Sequence, residues 1–301
     1  MHSALTASDG REIKLFAWLP EQEIRHVMVL SHGMAEHIQR YTGFALACNA
    51  AGIAVYGANH RGHGDDASVL GHYADDNGWQ KVISDLDLIV DDVAARHDVP
   101  LVLFGHSMGS FIAQQYAILN GSKLSGLVLS GSNYQNPIMY KLAILVSQIE
   151  KMRIGARSPS RFLDFVSFGA FNSKFKPTRT ASDWLSRDPV QVDKYINDDY
   201  CGFPCSPQFW LDFMSGLISI SQKSEIAKIP NQLPISIFSG DKDPVGLQGK
   251  GVLALAQHIT TNGCENVHFK LYPDGRHEML NESNASEVFK DVTDWVTAKV
   301  S

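Results

Sequence analysis

Leu101-Val102-Leu103-Phe104-Gly105-His106-Ser107-Met108-Gly109-Ser110-Phe111-Ile112-Ala113 is the stretch whose reading decides the fold. The apolar run Leu101–Phe104, bounded by Pro100, reads as a buried strand. From Phe111 to Leu119 the pattern is helical, and Asn120-Gly121 stops it. Between the two lies G-x-S-x-G, centred on Ser107. Its glycines permit a tight turn that holds the serine strained with its hydroxyl exposed, the arrangement called a nucleophile elbow. The first amides of the following helix then lie beside the hydroxyl, where they can stabilise a developing oxyanion. The pentapeptide alone recurs by chance; strand, motif and helix together are specific.

Working outward, strands and helices alternate on both sides. Ser8-Asp9-Gly10 is a turn between Ala4–Ala7 and Ile13–Trp18, which predicts a hairpin. Val27–Leu30 and Ile53–Tyr56 read as buried strands separated by a helix over Tyr41–Ala51. Val82, Ile83, Leu86, Ile89, Val90 and Val93 recur at helical spacing, predicting an amphipathic helix over 79–97. Gly126–Leu129 is the next strand. The alternation then stops, with apolar helical stretches at Leu142–Ile149 and Phe209–Ile220 among irregular segments. It resumes with strand Ile235–Phe238, helix Leu253–Ile259, strand Val267–Leu271 and a last helix through Val288–Val300. An α/β fold follows, with a mostly parallel sheet interrupted once. Residues 1–132 and 229–301 are expected to form the core, and 133–228 an inserted helical cap over the site.

Composition narrows the class. Hydrophobic residues make up 44% and charged residues 19%, a globular balance. A net charge of −6 without a sustained basic run argues against nucleic acid as a partner. The cysteines, Cys48, Cys201, Cys205 and Cys264, suggest no disulfide framework. Cys201 and Cys205 have no second Cys/His pair near them in sequence and read as buried or free thiols. With no signal-peptide pattern and no apolar stretch near the roughly 20 residues of a membrane span, a soluble, cytoplasmic protein is expected. Amphipathic cap helices leave contact with a lipid surface open, although no basic face is evident there.

A serine hydroxyl needs a base in reach and a carboxylate to orient that base. In elbow-bearing sheets the chain order is nucleophile, acid, histidine. Gly240-Asp241-Lys242-Asp243-Pro244 and Pro273-Asp274-Gly275-Arg276-His277-Glu278 both follow late strands, at the carboxyl ends where sheet sites form. His277 is the expected base and Asp243 the acid, with Asp241 as rival. The oxyanion donors are expected to be the Met34 and Met108 backbone N–H groups, and Gly33 would allow close approach. The His60-Arg61-Gly62-His63-Gly64-Asp65-Asp66 loop matches no standard zinc spacing and reads as a structural edge of the site. Neither metal nor cofactor is called for.

The segments His32-Gly33-Met34-Ala35-Glu36-His37-Ile38-Gln39-Arg40-Tyr41, Arg61–Gly64, Gly105–Gly109 and the Asp243 and His277 loops resemble the monoacylglycerol lipase and lysophospholipase-like branch of the α/β-hydrolases. That group is often labelled serine aminopeptidase S33. In the insertion, Phe175–Thr180, Asp183-Trp184-Leu185-Ser186-Arg187-Asp188 and Asp199–Phe203 resemble bacterial members. The resemblance implies Ser107, His277 and Asp243 as a triad with Met34 and Met108 as oxyanion amides, acting on a small acyl ester. It also implies Glu36 and Arg40 as residues facing the glycerol end of a substrate; an internal ion pair holding their loop is the equal alternative. A lysophospholipase, an aminopeptidase using cap carboxylates (Glu150, Asp164, Asp198, Asp199 or Asp212), and a ligand receptor on the same scaffold are the remaining readings.

Overall fold

Alternate residues of the central strands feed two separate apolar layers. In β3 (His26–Ser31), Val27 and Val29 join one layer, while Met28 and Leu30 join the other. In β5 (Leu101–His106), Leu101 and Leu103 are divided from Val102 and Phe104 in the same way. A strand buried on both faces produces this division because successive side chains point to opposite sides. It also explains why such strands read as unbroken apolar runs.

The computed structural model describes residues 2–300. The remaining strands are β1 (His2–Thr6), β2 (Glu12–Trp18), β4 (Ile53–Ala58), β6 (Gly126–Ser130), β7 (Ile235–Gly240) and β8 (Val267–Tyr272). Among the described residues they form one eight-stranded sheet in the order β1-β2-β4-β3-β5-β6-β7-β8. β1 and β2 pair antiparallel, as do β2 and β4; every other pairing is parallel. This is the mostly parallel α/β sheet that the alternation predicts. α1 (Thr42–Ala50) and α10 (Ala285–Lys299) cover the Met28/Phe104 face. α2 (Gly78–Arg96), α3 (Met108–Asn120) and α9 (Lys250–Thr261) cover the other.

Between β6 and β7 lie α4 (Pro137–Ile154), α5 (Arg161–Phe168), α6 (Pro189–Ile196), α7 (Pro207–Ile220) and α8 (Lys223–Ile226). The two long apolar stretches correspond to α4 and α7. α5 and α6 were not expected from periodicity, because eight residues give barely two turns of pattern. Their ends are nonetheless encoded locally: Ser160 caps α5 through Leu163 N–H, and Asp188 caps α6 ahead of Pro189.

Parallel register brings the carboxyl ends of the strands to one edge. Ser31 pairs with Gly105, His106 with Ser130, and Gly240 with Tyr272. The elbow, the 32–41 loop and the two late loops therefore converge, as open α/β sheets require of their sites.

Candidate active site

Ser107 adopts φ 52° and ψ −121°, a left-handed conformation that non-glycine residues rarely take. Its N–H donates to Ser130 O at 2.8 Å, and its carbonyl accepts from Ser110 N–H at 2.9 Å. These bonds hold the strain. The flanking glycines provide room rather than unusual φ: a Cβ on Gly109 would lie 2.0 Å from Ser31 O, and one on Gly105 2.4 Å from Gly109 O. Neither has positive φ. The tight turn expected of them is thus a close approach of α3 to β3 and β5, with the serine itself in the left-handed region.

Ser107 Oγ lies 2.9 Å from His277 Nε2. His277 Nδ1 lies 3.0 Å from both carboxylate oxygens of Asp243. Asp243 is fully buried and also accepts from Ser239 Oγ at 2.7 Å and Val245 N–H at 2.8 Å. Burial acts to raise its pKa, but His277, Ser239 and Val245 outweigh that and keep it low. For His277, burial acts downward and the Asp243 carboxylate more than reverses it, so the ring is more basic than an ordinary histidine. Asp241 faces Lys242 Nζ at 3.1 Å instead. Of the two candidate acids, Asp243 is the one beside the imidazole.

The imidazole is held between two rings. His106 lies 4.9 Å away on one side, and Trp184, from the inserted segment, 5.1 Å away between centroids. Trp184 O accepts from His277 N–H at 3.4 Å and Leu185 O from Glu278 N–H at 2.7 Å. Arg276 Nη1 donates to the carbonyls of Asp183 and Ser186. Sequence reasoning found His277 but not Trp184 or Ser239. Trp184 lay in a segment noted only for its resemblance, and no local signal announces a contact across 93 residues.

Gly33 lies against the nucleophile: a Cβ there would begin 3.3 Å from Ser107 Cβ. His60 N–H donates to His32 Nε2 at 2.9 Å, so His32 carries its proton on Nδ1 and donates it to Gly33 O at 2.8 Å. In a trans peptide the N–H points opposite to the C=O. With the Gly33 carbonyl tied back, the Met34 N–H is turned away from His32, and it donates to no described residue. Met108 N–H is the first amide of α3, where a helix leaves its donors unpaired.

Glu36 and Arg40 are embedded in the protein. Glu36 accepts from Gly33 N–H at 2.6 Å, Tyr41 OH at 2.7 Å and Arg40 Nη1 at 2.5 Å. Arg40 also forks onto both oxygens of Glu278 at 2.8 and 2.6 Å, and its guanidinium lies 4.9 Å from the Tyr195 ring centre. Burial acts to raise the Glu36 pKa, but the Arg40 guanidinium reverses it. Of the two readings left open by sequence, these contacts are those of the loop-holding ion pair.

The 60–66 loop is likewise internal. Arg61 forks onto Asp85 at 2.8 Å and onto Asp9. His60 Nε2 meets Ser31 Oγ at 2.8 Å. Burial lowers the pKa of His32 to about 3, of His63 to about 3 and of His106 to about 4, and pushes His60 well down. Four neutral histidines therefore pack around the site. Three of the five carboxylates of the insertion considered for an amino group have side-chain partners: Glu150 with Arg153 and Ser160, Asp198 with His37, and Asp212, through one oxygen, with Gln208.

Comparison with known proteins places this geometry in a lineage. The family described as serine aminopeptidase, S33, matches residues 22–284. The chain belongs to that family. Within it, the chain is 30% identical over 292 residues to a monoacylglycerol lipase of Mycolicibacterium smegmatis, covering 96% of this chain and 94% of the relative. The monoglyceride lipase of Mus musculus is 24% identical over 307 residues, 99% of this chain and 90% of the relative. Among solved structures, a thermostable carboxyl esterase from Bacillus coagulans in complex with glycerol superposes with a TM-score of 0.91 at 28% identity, covering 100% and 99% of the two chains. The chain is therefore an α/β-hydrolase of a family of lipases and esterases, homologous to monoacylglycerol lipases over nearly its full length. None of its described helices is long and apolar enough to cross a membrane.

Proposed function

We propose that this protein is a serine ester hydrolase that cleaves monoacylglycerol-like substrates through an acyl-enzyme. The observation that carries the reading is the relay Ser107 Oγ–His277 Nε2, 2.9 Å, and His277 Nδ1–Asp243, 3.0 Å, at the start of a helix. Ser107 attacks the ester carbonyl as His277 Nε2 takes its proton, and Asp243 stabilises the imidazolium. The Met34 and Met108 amides hold the tetrahedral oxyanion. His277 passes its proton to the leaving alcohol, then takes one from water, whose oxygen attacks the acyl carbon. Collapse of the second tetrahedral species breaks the Ser107 ester bond, frees the acid and returns the proton to Ser107. Homology to monoacylglycerol lipases supports the substrate class.

The outer face of α4 supports a role at lipid surfaces. Ile138, Leu142, Leu145, Ile149 and Met152 are all more than half exposed at helical spacing. From residue 137 to 180 there are eight Lys/Arg against two Asp/Glu in a chain of net charge −6. Sequence reading saw no basic face, and these basic residues are dispersed along the segment. An apolar stripe in a basic segment suits an aggregated acyl substrate and its anionic product.

The test is the initial rate of fatty-acid release from medium- and long-chain monoacylglycerols, with Ser107→Ala run alongside. Release that vanishes in the variant is expected. Equal rates in both proteins, or none from either, would overturn the assignment.

A further inference from the structure

On the outer side of the 32–41 loop, three donor atoms of different elements meet. One donor atom each from His37, Asp198 and Cys201 lies within 4.8 Å of the other two. We propose that His37, Asp198 and Cys201 form a binding site for a zinc-class divalent cation, joining the 198–202 loop of the insertion to the loop that carries Gly33 and Met34.

The donor set selects the class of ion. Imidazole nitrogen, carboxylate oxygen and thiolate sulfur together suit a borderline ion such as Zn²⁺, and not the oxygen-seeking Mg²⁺ or Ca²⁺. Two of the donors are aimed by outer partners, as metal ligands are. His37 Nδ1 faces Gln39 Oε1 at 3.0 Å, so Nδ1 carries the hydrogen and Nε2 turns its lone pair inward. Tyr200 N–H holds Asp198 Oδ1 at 2.9 Å and leaves Oδ2 facing the same point. Nε2 and Oδ2 then stand 2.9 Å apart, close enough for one cation to bridge them.

The surroundings favour a cation. The nearby Arg40 is already shared by Glu36 and Glu278, while Asp198 has only His37 as an ion-pair partner among the described residues. Cys201 is half-buried and has no disulfide partner. A cleft of 980 Å³, lined by His37, Asp198 and Tyr200 among others, gives the ion a way in and leaves room for water as a fourth ligand. The two loops are already joined by Gly202 N–H to Ala35 O at 2.9 Å. His37, four residues from Gly33, already makes a second tie with Asp198, and a metal would extend it to Cys201 without taking part in ester cleavage.

The probe is Co²⁺, added to the purified protein. Uptake of one equivalent with a thiolate-to-cobalt charge-transfer band is expected, displaced by one equivalent of Zn²⁺. Cys201→Ser should abolish the band while keeping the metal-free melting temperature and ester hydrolysis. Asp198→Asn should weaken binding at least about tenfold, and Gln39→Ala, which removes only an orienting partner, about tenfold. Zn²⁺ should raise the melting temperature of the wild-type protein and not of Cys201→Ser. No charge-transfer band in the wild type, or a band that survives Cys201→Ser, would overturn the site. If Cys201→Ser does not fold, Asp198→Asn decides, and unchanged affinity there refutes the proposal.

Discussion

Lowering the pH should unfold this protein earlier than its carboxylates alone would. His32, His60, His63 and His106 are buried and neutral, with burial lowering their pKa values to about 3 for His32 and His63, to about 4 for His106, and well down for His60. In the unfolded chain each titrates near about 6.5. Below that pH the unfolded state binds protons that the native state refuses, so stability falls as pH falls. At about pH 5.5 each histidine costs about 1.4 kcal/mol, and the four together between 5 and 6, as an order of magnitude. At about pH 5 the loss is roughly 8 kcal/mol, within the 5–15 or so that hold a typical domain together. His277 works in the opposite direction. Its pKa is raised in the native state, so its contribution is fully present below about 6.5 and offsets part of the loss. An unfolding midpoint near about pH 5 is therefore expected. Urea unfolding followed by circular dichroism at several pH values between 7 and 5 reads the slope directly. A stability that changes by less than about 1 kcal/mol from pH 7 to 5.5 would refute the reasoning, since no set of four buried neutral histidines can behave so.

Glu36→Gln should lose about 3 kcal/mol and roughly 5–10 °C in Tm, because it breaks a buried pair while Arg40 keeps only Glu278. If Glu36 instead faced glycerol, Tm would hold and KM would rise for monoacylglycerols but not for simple aryl esters. Asp243→Asn should fold and lower kcat by about 10³–10⁴. Because Asp243 raises the His277 pKa, the acid limb of kcat/KM should also move to lower pH in that variant. Gly131 has φ +60°, and a Cβ there would lie 2.9 Å from His277 Cε1. Gly131→Ala is expected to cost about 1–2 kcal/mol in urea unfolding and to lower kcat more than it raises KM.

What the sequence made legible was local. The hairpin, the central strands and the amphipathic α2 each carry a signal within their own residues. So do Ser107, His277 and Asp243, since each sits where a strand pattern ends. Contacts between distant segments were not legible. Arg40 meets Glu278 across 238 residues, and no pattern in either segment names the other. The helix pair α5 and α6 escaped for a different reason: their apolar periods are too short to stand out, and only capping residues mark them. Glycine was read correctly as a requirement of the elbow, but the requirement is space against Ser31 O, while the left-handed backbone falls on Ser107.

The strap formed by residues 183–187 gives the insertion two unequal parts. Trp184 and Leu185 receive hydrogen bonds from the backbone of His277 and Glu278, and Arg276 holds Asp183 and Ser186. The outward face of α4 has no such attachment to the catalytic loop. Grafting α4 and α5 from a relative would exchange the exposed apolar surface proposed to meet substrate while leaving the histidine in place. Grafting the whole insertion would carry away half the socket in which that histidine sits. A change on the α4 side of the strap thus leaves the His277 contacts intact, and a change in the strap itself does not.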